Sequence, residues 1–157
     1  MKIVLQRVSE ASVISTKLNH QNLEERIREI NQGYLILLGI GQDDTNEDID
    51  WLVNKIINLR VFADQEGKMN LSIKDINGEI LLISQFTLFA STKKGNRPSF
   101  IKSAKPDIAI PLYNQFVVKL NDRIEKEVQT GEFGADMKVS LVNDGPVTII
   151  IDSKNKD

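Results

Sequence analysis

The chain has 157 residues, 41% of them apolar and 27% charged, with a net charge of −2 and no cysteine. That length supports one well-buried core, and the missing thiols exclude disulfides, iron–sulfur clusters and thiolate zinc sites. No apolar run approaches the roughly 20 residues of a membrane helix, so no membrane partner is expected. The opening Met1-Lys2-Ile3-Val4 is already in strand-like alternation, which predicts a cytoplasmic domain without a signal peptide.

Ile3 to Val8 alternate and Ala11 to Thr16 continue in β-rich residues, predicting two strands joined at Ser9-Glu10. Leu18 to Asn31 suits a short helix, from the spacing of Leu23, Ile27 and Ile30, or equally a strand with charged neighbours. Tyr34 to Ile40, bracketed by Gly33, Gly39 and Gly41, predicts a buried strand. Thr45-Asn46-Glu47-Asp48 has the form of a capping box with Asp in the usual Glu position, and an apolar helical stripe runs from Ile49 to Leu59. Val61-Phe62 reads as a strand, Asp64 to Lys68 as a turn, and Asn77-Gly78 as a hairpin turn between Ile73–Ile76 and a strand from Glu79 to Phe86. A long helix is predicted from Asp107 to Thr130, ended by Gly131. Met137 to Val142 and Val147 to Ile151 are strands joined through Asn143-Asp144-Gly145-Pro146. The sum is one α+β domain over residues 1–152, with mostly antiparallel strands and two main helices; the polar tail 153–157 is expected to fray.

The inventory of reactive groups is short. The single histidine, His20, sits in a polar stretch without a partner pattern, so a Ser-His-Asp arrangement or a His-ligated metal site is not expected. Gly39-Ile40-Gly41 fits no phosphate-loop or dinucleotide fingerprint. Neither metal nor cofactor is expected. What remains is Ser84-Gln85-Phe86-Thr87 at the end of an apolar strand. Read alone, these are strand-end residues alternating outward. Read as a site wall, Phe86 offers an aromatic face, Gln85 a donor and an acceptor, and Thr87 a hydroxyl, with backbone N–H groups near Phe86 and Thr87 placed for an oxyanion. Gly145-Pro146 fits a trans type I or II turn on local grounds, with a cis bond as the alternative. Between Ser91 and Pro106, Lys93, Lys94, Arg97, Lys102 and Lys105 give +5 with no acidic residue, which leaves the rest of the chain at −7. Such a loop on an acidic body suits a small anionic contact, not a long duplex footprint.

Several blocks then resemble the D-aminoacyl-tRNA deacylase family, the chirality proofreaders of translation, in order and over nearly the whole chain. They are Leu5-Gln6-Arg7-Val8-Ser9 with Ala11-Ser12-Val13, Leu59 to Phe62 with Gly67 to Ser72, Ser84 to Leu88, Lys94 to Phe100, Phe133 to Met137, and Asn143 to Thr148. The resemblance implies a compact barrel-like fold and a homodimer with the active site at the subunit interface. It implies a cis Gly145-Pro146 that reaches into the other subunit's site, overturning the local preference for trans, with Arg7 bracing that loop. Ser84, Gln85, Phe86 and Thr87 would form one wall, Phe133 and Met137 would lie near the adenosine or aminoacyl end, and Lys93, Lys94, Arg97 and Lys102 would meet the tRNA acceptor stem. The implied reaction is hydrolysis of D-aminoacyl-tRNA, and of glycyl-tRNA mischarged on tRNA-Ala, with L-aminoacyl esters rejected by steric exclusion. Thr87 acts either as nucleophile or as a positioning group beside a substrate 2′-hydroxyl. Two departures from the family pattern stand out. Leu18 to Gln32 is longer than usual and lacks glycines, and Ser91 replaces a common aspartate; neither is expected to touch the chemistry. The rival from another class is a non-catalytic RNA- or ribosome-associated binding module, which would tolerate Thr87→Ala and Pro146→Ala.

Overall fold

The computed structural model describes residues 1–19 and 22–156; His20 lies outside them. The longest elements are two strands, β1 (Lys2–Asn19) and β8 (Asp136–Asp152), which pair antiparallel along almost their whole length. One edge of β1 meets β8. Its other edge is shared in sequence by β3 (Gly33–Gly39), against Lys2 to Val8, and β2 (Asn22–Ile30), against Ala11 to Asn19. The expected break at Ser9-Glu10 is therefore not a connection but a bend inside one strand. Register shifts at Gln6/Val8 and Val8/Glu10 mark it, as extra residues in one strand bend and twist a ladder. The ambiguous Leu18–Asn31 segment resolves as strand β2.

β6 (Glu79–Ser84) lies parallel to β3, and β7 (Gln129–Thr130) parallel to β6, so the six-stranded sheet is mixed. The Asn77-Gly78 signal does mark a turn, with Asn77 at φ 48. It closes back onto Ile73, whose carbonyl accepts the Gly78 N–H at 2.9 Å, and so makes no hairpin. A separate two-stranded ribbon, β4 (Phe62–Ala63) with β5 (Met69–Leu71), closes at the predicted Asp64–Lys68 turn.

Both helices cover one face of the sheet. α1 (Asn46–Asn58) starts at Thr45, whose N–H donates to the Asp48 carboxylate at 2.8 Å. It buries Ile49, Leu52, Val53 and Ile56. α2 (Pro106–Asn121) buries Ala109, Tyr113, Phe116 and Leu120. These side chains meet Ile3 and Leu5 of β1, Ile36 and Leu38 of β3, and Ile80 and Leu82 of β6. A second core fills the opposite face, where the bent half of β1 folds over Leu35, Leu81 and Ile83 with Val8, Val13 and Ile30. The result is the expected barrel-like α+β body with two helices. α2 is shorter than predicted: it ends at Asn121, whose side-chain carbonyl accepts the Val128 N–H at 2.8 Å, because residues 129–130 are drawn into β6's ladder. The polar tail does not fray from its first residue. Ser153 is buried, accepts from the Met1 ammonium at 2.8 Å and donates to Asp48 at 2.6 Å, and Lys154 reaches Asp48 at 2.8 Å. Among the described residues no helix is long and apolar enough to cross a membrane.

Candidate active site

β6 delivers the Ser84-Gln85-Phe86-Thr87 segment to the sheet's end. Ser84 pairs with Leu38, and the Gln85 N–H donates to the Leu38 carbonyl at 2.8 Å, carrying the ladder one residue past the strand. There the chain turns into a 3₁₀ turn, Phe86–Phe89. The first internal bond of that turn is donated by Leu88 to Gln85 (3.3 Å), and Ala90 closes it with a bond to Thr87 (3.0 Å). The N–H groups of Phe86 and Thr87 open the turn and have no acceptor inside it. These are the two groups that the sequence suggested for an oxyanion site; Phe86 lines the cleft beside the turn and Thr87 does not. The Gln85 side-chain amide donates to the Thr87 hydroxyl oxygen. That partner is a donor, and among the described residues no carboxylate or amine is bonded to Thr87 to take its proton.

The turn sits on a strip of glycines. A Cβ on Gly39 would lie 3.0 Å from the Gln85 carbonyl oxygen and 3.0 Å from Leu88 Cβ, and one on Gly41 would lie 2.9 Å from the Phe89 ring. Only hydrogen at these positions lets the turn lie flat on the segment between β3 and α1.

Beside the turn opens a cleft of about 340 Å³, lined by Ser84, Gln85 and Phe86 on one wall and Phe133 and Met137 on another. Leu38, Ile40, Ser103 and Ala104 also line it. These last four escaped the sequence reading, because small and aliphatic residues carry no chemical signal there. Phe86 is 57% exposed and meets Phe100 edge-on at 5.1 Å. Phe133 stands edge-on to Tyr113 at 5.9 Å. Tyr113 is buried, its hydroxyl donating to the Leu82 carbonyl at 2.9 Å, and burial pushes its pKa well above the ordinary tyrosine value. Phe133 therefore rests on a rigid, neutral support.

Lys93, Lys94, Arg97 and Lys102 are all exposed, and among the described residues none of them is in an ion pair. Paired bonds between Ser91 and Ser99 (2.8 and 3.0 Å) close their loop, with Gly95 at φ +69 in its tip. The loop's root is stitched to the cleft: the Ala104 N–H donates to the Ile40 carbonyl at 2.9 Å. Among the described residues no His, Cys, Asp and Glu group of the kind that holds a metal ion occurs.

The Gly145-Pro146 bond is cis, with Gly145 at φ +128. The loop interrupts β8, whose pairing with β1 jumps from Gln6–Thr148 to Val8–Asn143. Arg7 Nε donates to the Asp144 carbonyl at 3.0 Å and faces its carboxylate at 3.3 Å, while another guanidinium nitrogen donates to the Val61 carbonyl. The Asn143 amide ties the Arg7 and Val147 carbonyls at 3.0 Å each. Arg7 is thus a brace of the Gly-Pro loop. Neither element lies at this chain's own cleft. Arg7 is level with Tyr34 on β3 and Ser84 with Leu38, four residues apart and so about 13 Å along the strand.

A family model described as D-Tyr-tRNA(Tyr) deacylase matches residues 4–152. A D-aminoacyl-tRNA deacylase of Flavobacterium psychrophilum is 63% identical over 158 residues, and one of Bacteroides fragilis 60% identical over 157, each alignment spanning all of both chains. Among solved structures, the c-Myc DNA unwinding element binding protein superposes with a TM-score of 0.85 at 40% identity, covering 97% of this chain and 98% of that one. A probable eukaryotic D-amino acid tRNA deacylase, 16% identical, shares the fold with a TM-score of 0.76 over 96% of this chain and 97% of the other. With sequence blocks, fold and full-length relatives in agreement, this chain belongs to the D-Tyr-tRNA(Tyr) deacylase family.

Proposed function

We propose that this chain is an ester hydrolase that cleaves D-aminoacyl-tRNA to a free D-amino acid and tRNA, as a proofreading step of translation in the cytoplasm. The observation that carries the reading is the 3₁₀ turn itself. It opens with two N–H groups that have no acceptor inside the turn, beside a cleft, and among the described residues no base is bonded to the Thr87 hydroxyl, in a chain of this family. An aminoacyl ester is already activated, so hydrolysis needs chiefly a placed water and a stabilised oxyanion.

In this reading the ester carbonyl oxygen sits against the Phe86 and Thr87 N–H groups. Water adds to the carbonyl carbon, assisted by the vicinal 2′-hydroxyl of the terminal adenosine. The C–O bond to the 3′ oxygen breaks, that oxygen takes one of the water's protons, the other passes to solvent, and the D-amino acid leaves as its carboxylate. Thr87, held by Gln85, positions rather than attacks, because an unassisted threonine hydroxyl is a poor nucleophile. Phe133 and Met137 hold the adenosine or aminoacyl end, and Lys93, Lys94, Arg97 and Lys102 meet acceptor-stem phosphates. The roughly 13 Å between Arg7 and the level of Ser84 supports a homodimer in which each subunit's Gly145-Pro146 enters the other's cleft. Its carbonyls there capture the α-ammonium and leave no space for an L side chain. Glycine has no side chain to exclude, so glycyl-tRNA mischarged on tRNA-Ala is a second substrate.

The test is hydrolysis of D-tyrosyl-tRNA beside L-tyrosyl-tRNA, repeated with a 2′-deoxy terminal adenosine. Turnover of the D ester alone, collapsing on the deoxy substrate, is the expected result. D-only turnover that survives the deletion returns Thr87 to the role of nucleophile. No turnover of either ester overturns the enzyme reading and favours a binding module.

A further inference from the structure

The β1–β2 hairpin, whose Leu18–Gln32 part is expected from the sequence to stand apart from the chemistry, is fastened midway along its length to a wall of the cleft. Ser15, 2% exposed, pairs with Arg26 on one side and Met137 on the other. Its Oγ accepts the Glu132 N–H at 3.2 Å. Two residues along β1 and on the same face, Lys17 Nζ reaches the Glu132 carboxylate at 2.9 Å. The hairpin therefore grips both the backbone and the side chain of one residue.

Glu132 opens the turn that carries Phe133. Its carbonyl accepts the Ala135 N–H at 3.2 Å, with Gly134 at φ +76 between them. Just before it, the Gly131 N–H donates to the Leu82 carbonyl at 3.2 Å, and a Cβ on Gly131 would fall 2.5 Å from Met137 Sδ. The Phe133 turn is thus pinned from three sides: by β6 through Gly131, by α2 through Tyr113, and by the hairpin through Glu132. Only the hairpin's hold can be removed by substitution without opening either core.

We propose that Ser15 and Lys17 are positioning residues for the Phe133 wall, so that the β1–β2 hairpin sets how tightly the substrate's terminal group is seated. This rests on the deacylase reading of the cleft. The Phe133 wall seats the substrate's terminal group and not the ester carbonyl, so its loosening removes binding made equally before and at the transition state, and the effect belongs in KM and not in kcat. An ion pair this exposed adds little to global stability. Its loss therefore moves the wall and leaves the melting temperature in place, which separates positioning from a general structural role.

The experiment compares wild type, Ser15→Ala, Lys17→Glu, Glu132→Lys and the Lys17→Glu/Glu132→Lys exchange. The readouts are steady-state kinetics on D-tyrosyl-tRNA, thermal melting, and amide hydrogen exchange at 132–135. Lys17→Glu and Ser15→Ala should each raise KM about fivefold with kcat within about twofold and speed exchange at 132–135. The exchanged pair should recover most of the loss, since coupled partners restore one another. Unchanged KM and unchanged exchange in both single variants overturn the proposal, as does a loss in Lys17→Glu that tracks a lower melting temperature. Ser15→Ala strips the acceptor from a part-buried N–H and should melt lower in its own right. If wild type hydrolyses neither ester, the deacylase reading fails by itself. The exchange data then still decide whether the hairpin holds the wall.

Discussion

Gly39→Ala is the sharpest test of the idea that backbone placement does the catalytic work. Gly39 is not in the left-handed region, so alanine fits its backbone, and the whole effect is the added methyl. That methyl would stand 3.0 Å from the Gln85 carbonyl oxygen, 3.0 Å from Leu88 Cβ and 3.2 Å from the Phe89 ring. Relief requires the 3₁₀ turn to lift by a few tenths of an ångström, because β3 beneath it is clamped between β1 and β6. Oxyanion donors work over a narrow range near 3 Å, and losing one costs about 10²–10³ in kcat. A partial displacement should therefore lower kcat by about tenfold to a hundredfold, with KM within about threefold. Overpacking of this kind costs about 1–3 kcal/mol, a fall in melting temperature of about 2–12 °C for a chain of this size. The assay is kcat and KM on D-tyrosyl-tRNA below the onset of melting, with Leu120→Ala as a control. Leu120 is fully buried on α2, away from the cleft lining, and its truncation costs about 2–5 kcal/mol while leaving turnover per folded molecule intact. A Gly39→Ala enzyme with wild-type kcat would refute the reasoning.

Arg7→Gln removes the charged brace on Asp144 and Val61, and should relax the Gly-Pro loop enough to lower the D-to-L discrimination ratio at least tenfold. The same kinetics on paired D- and L-tyrosyl-tRNA measure it, and an unchanged ratio counts against Gly145-Pro146 as the chiral filter. Lys93→Ala, Lys94→Ala, Arg97→Ala and Lys102→Ala should each weaken binding of intact tRNA, and should reduce the slope of log K against log salt by about 0.7–0.9 for every phosphate left without its cation. Burial opposes ionisation of Asp48, but bonds from Lys154, Ser153 and the Thr45 N–H outweigh it and hold the carboxyl well below the usual range. Its contribution to stability is complete above the unfolded value near 4 and is lost as pH falls through the lower folded value. The melting-temperature difference between wild type and Asp48→Asn should therefore be flat above about pH 5 and shrink below about pH 4.

Much of the site was legible because its residues are chemically distinctive and contiguous. Ser84 to Thr87 stand at a strand end, the basic loop is a run, and Gly145-Pro146 is a marked dipeptide. What escaped depends on non-local pairing. The bend in β1 arises where the Gly-Pro loop forces β8 out of register, and nothing in Gln6–Glu10 alone announces that. The last turns predicted for α2 are good helix sequence overruled by two residues of ladder on β6. Asn77-Gly78 forms its turn, but the strand after it pairs in parallel with β3, a partner 46 residues upstream. Ser15 carried no local signal because the N–H that its hydroxyl meets lies 117 residues away.

On the proposed reading, with no base bonded to Thr87 among the described residues, the site has to store its catalytic power in the rigidity of its backbone, and the glycines mark where that demand falls. Gly39 and Gly41 let the donor turn rest on the β3–α1 connection, and Gly131 lets the Phe133 turn press against Met137. A Cβ on Gly33, at the other end of β3, would meet the Glu79 carbonyl oxygen at 1.8 Å, so that close approach serves the sheet pairing alone. Alanine at position 33 should abolish folding, whereas alanine at 39 should leave a folded, slow enzyme. In a triad hydrolase the residual rate after such a shift would be governed by one side chain's ability to follow the substrate. Here no side chain is available to compensate, so stability and turnover should part company most clearly at the glycines under the turn.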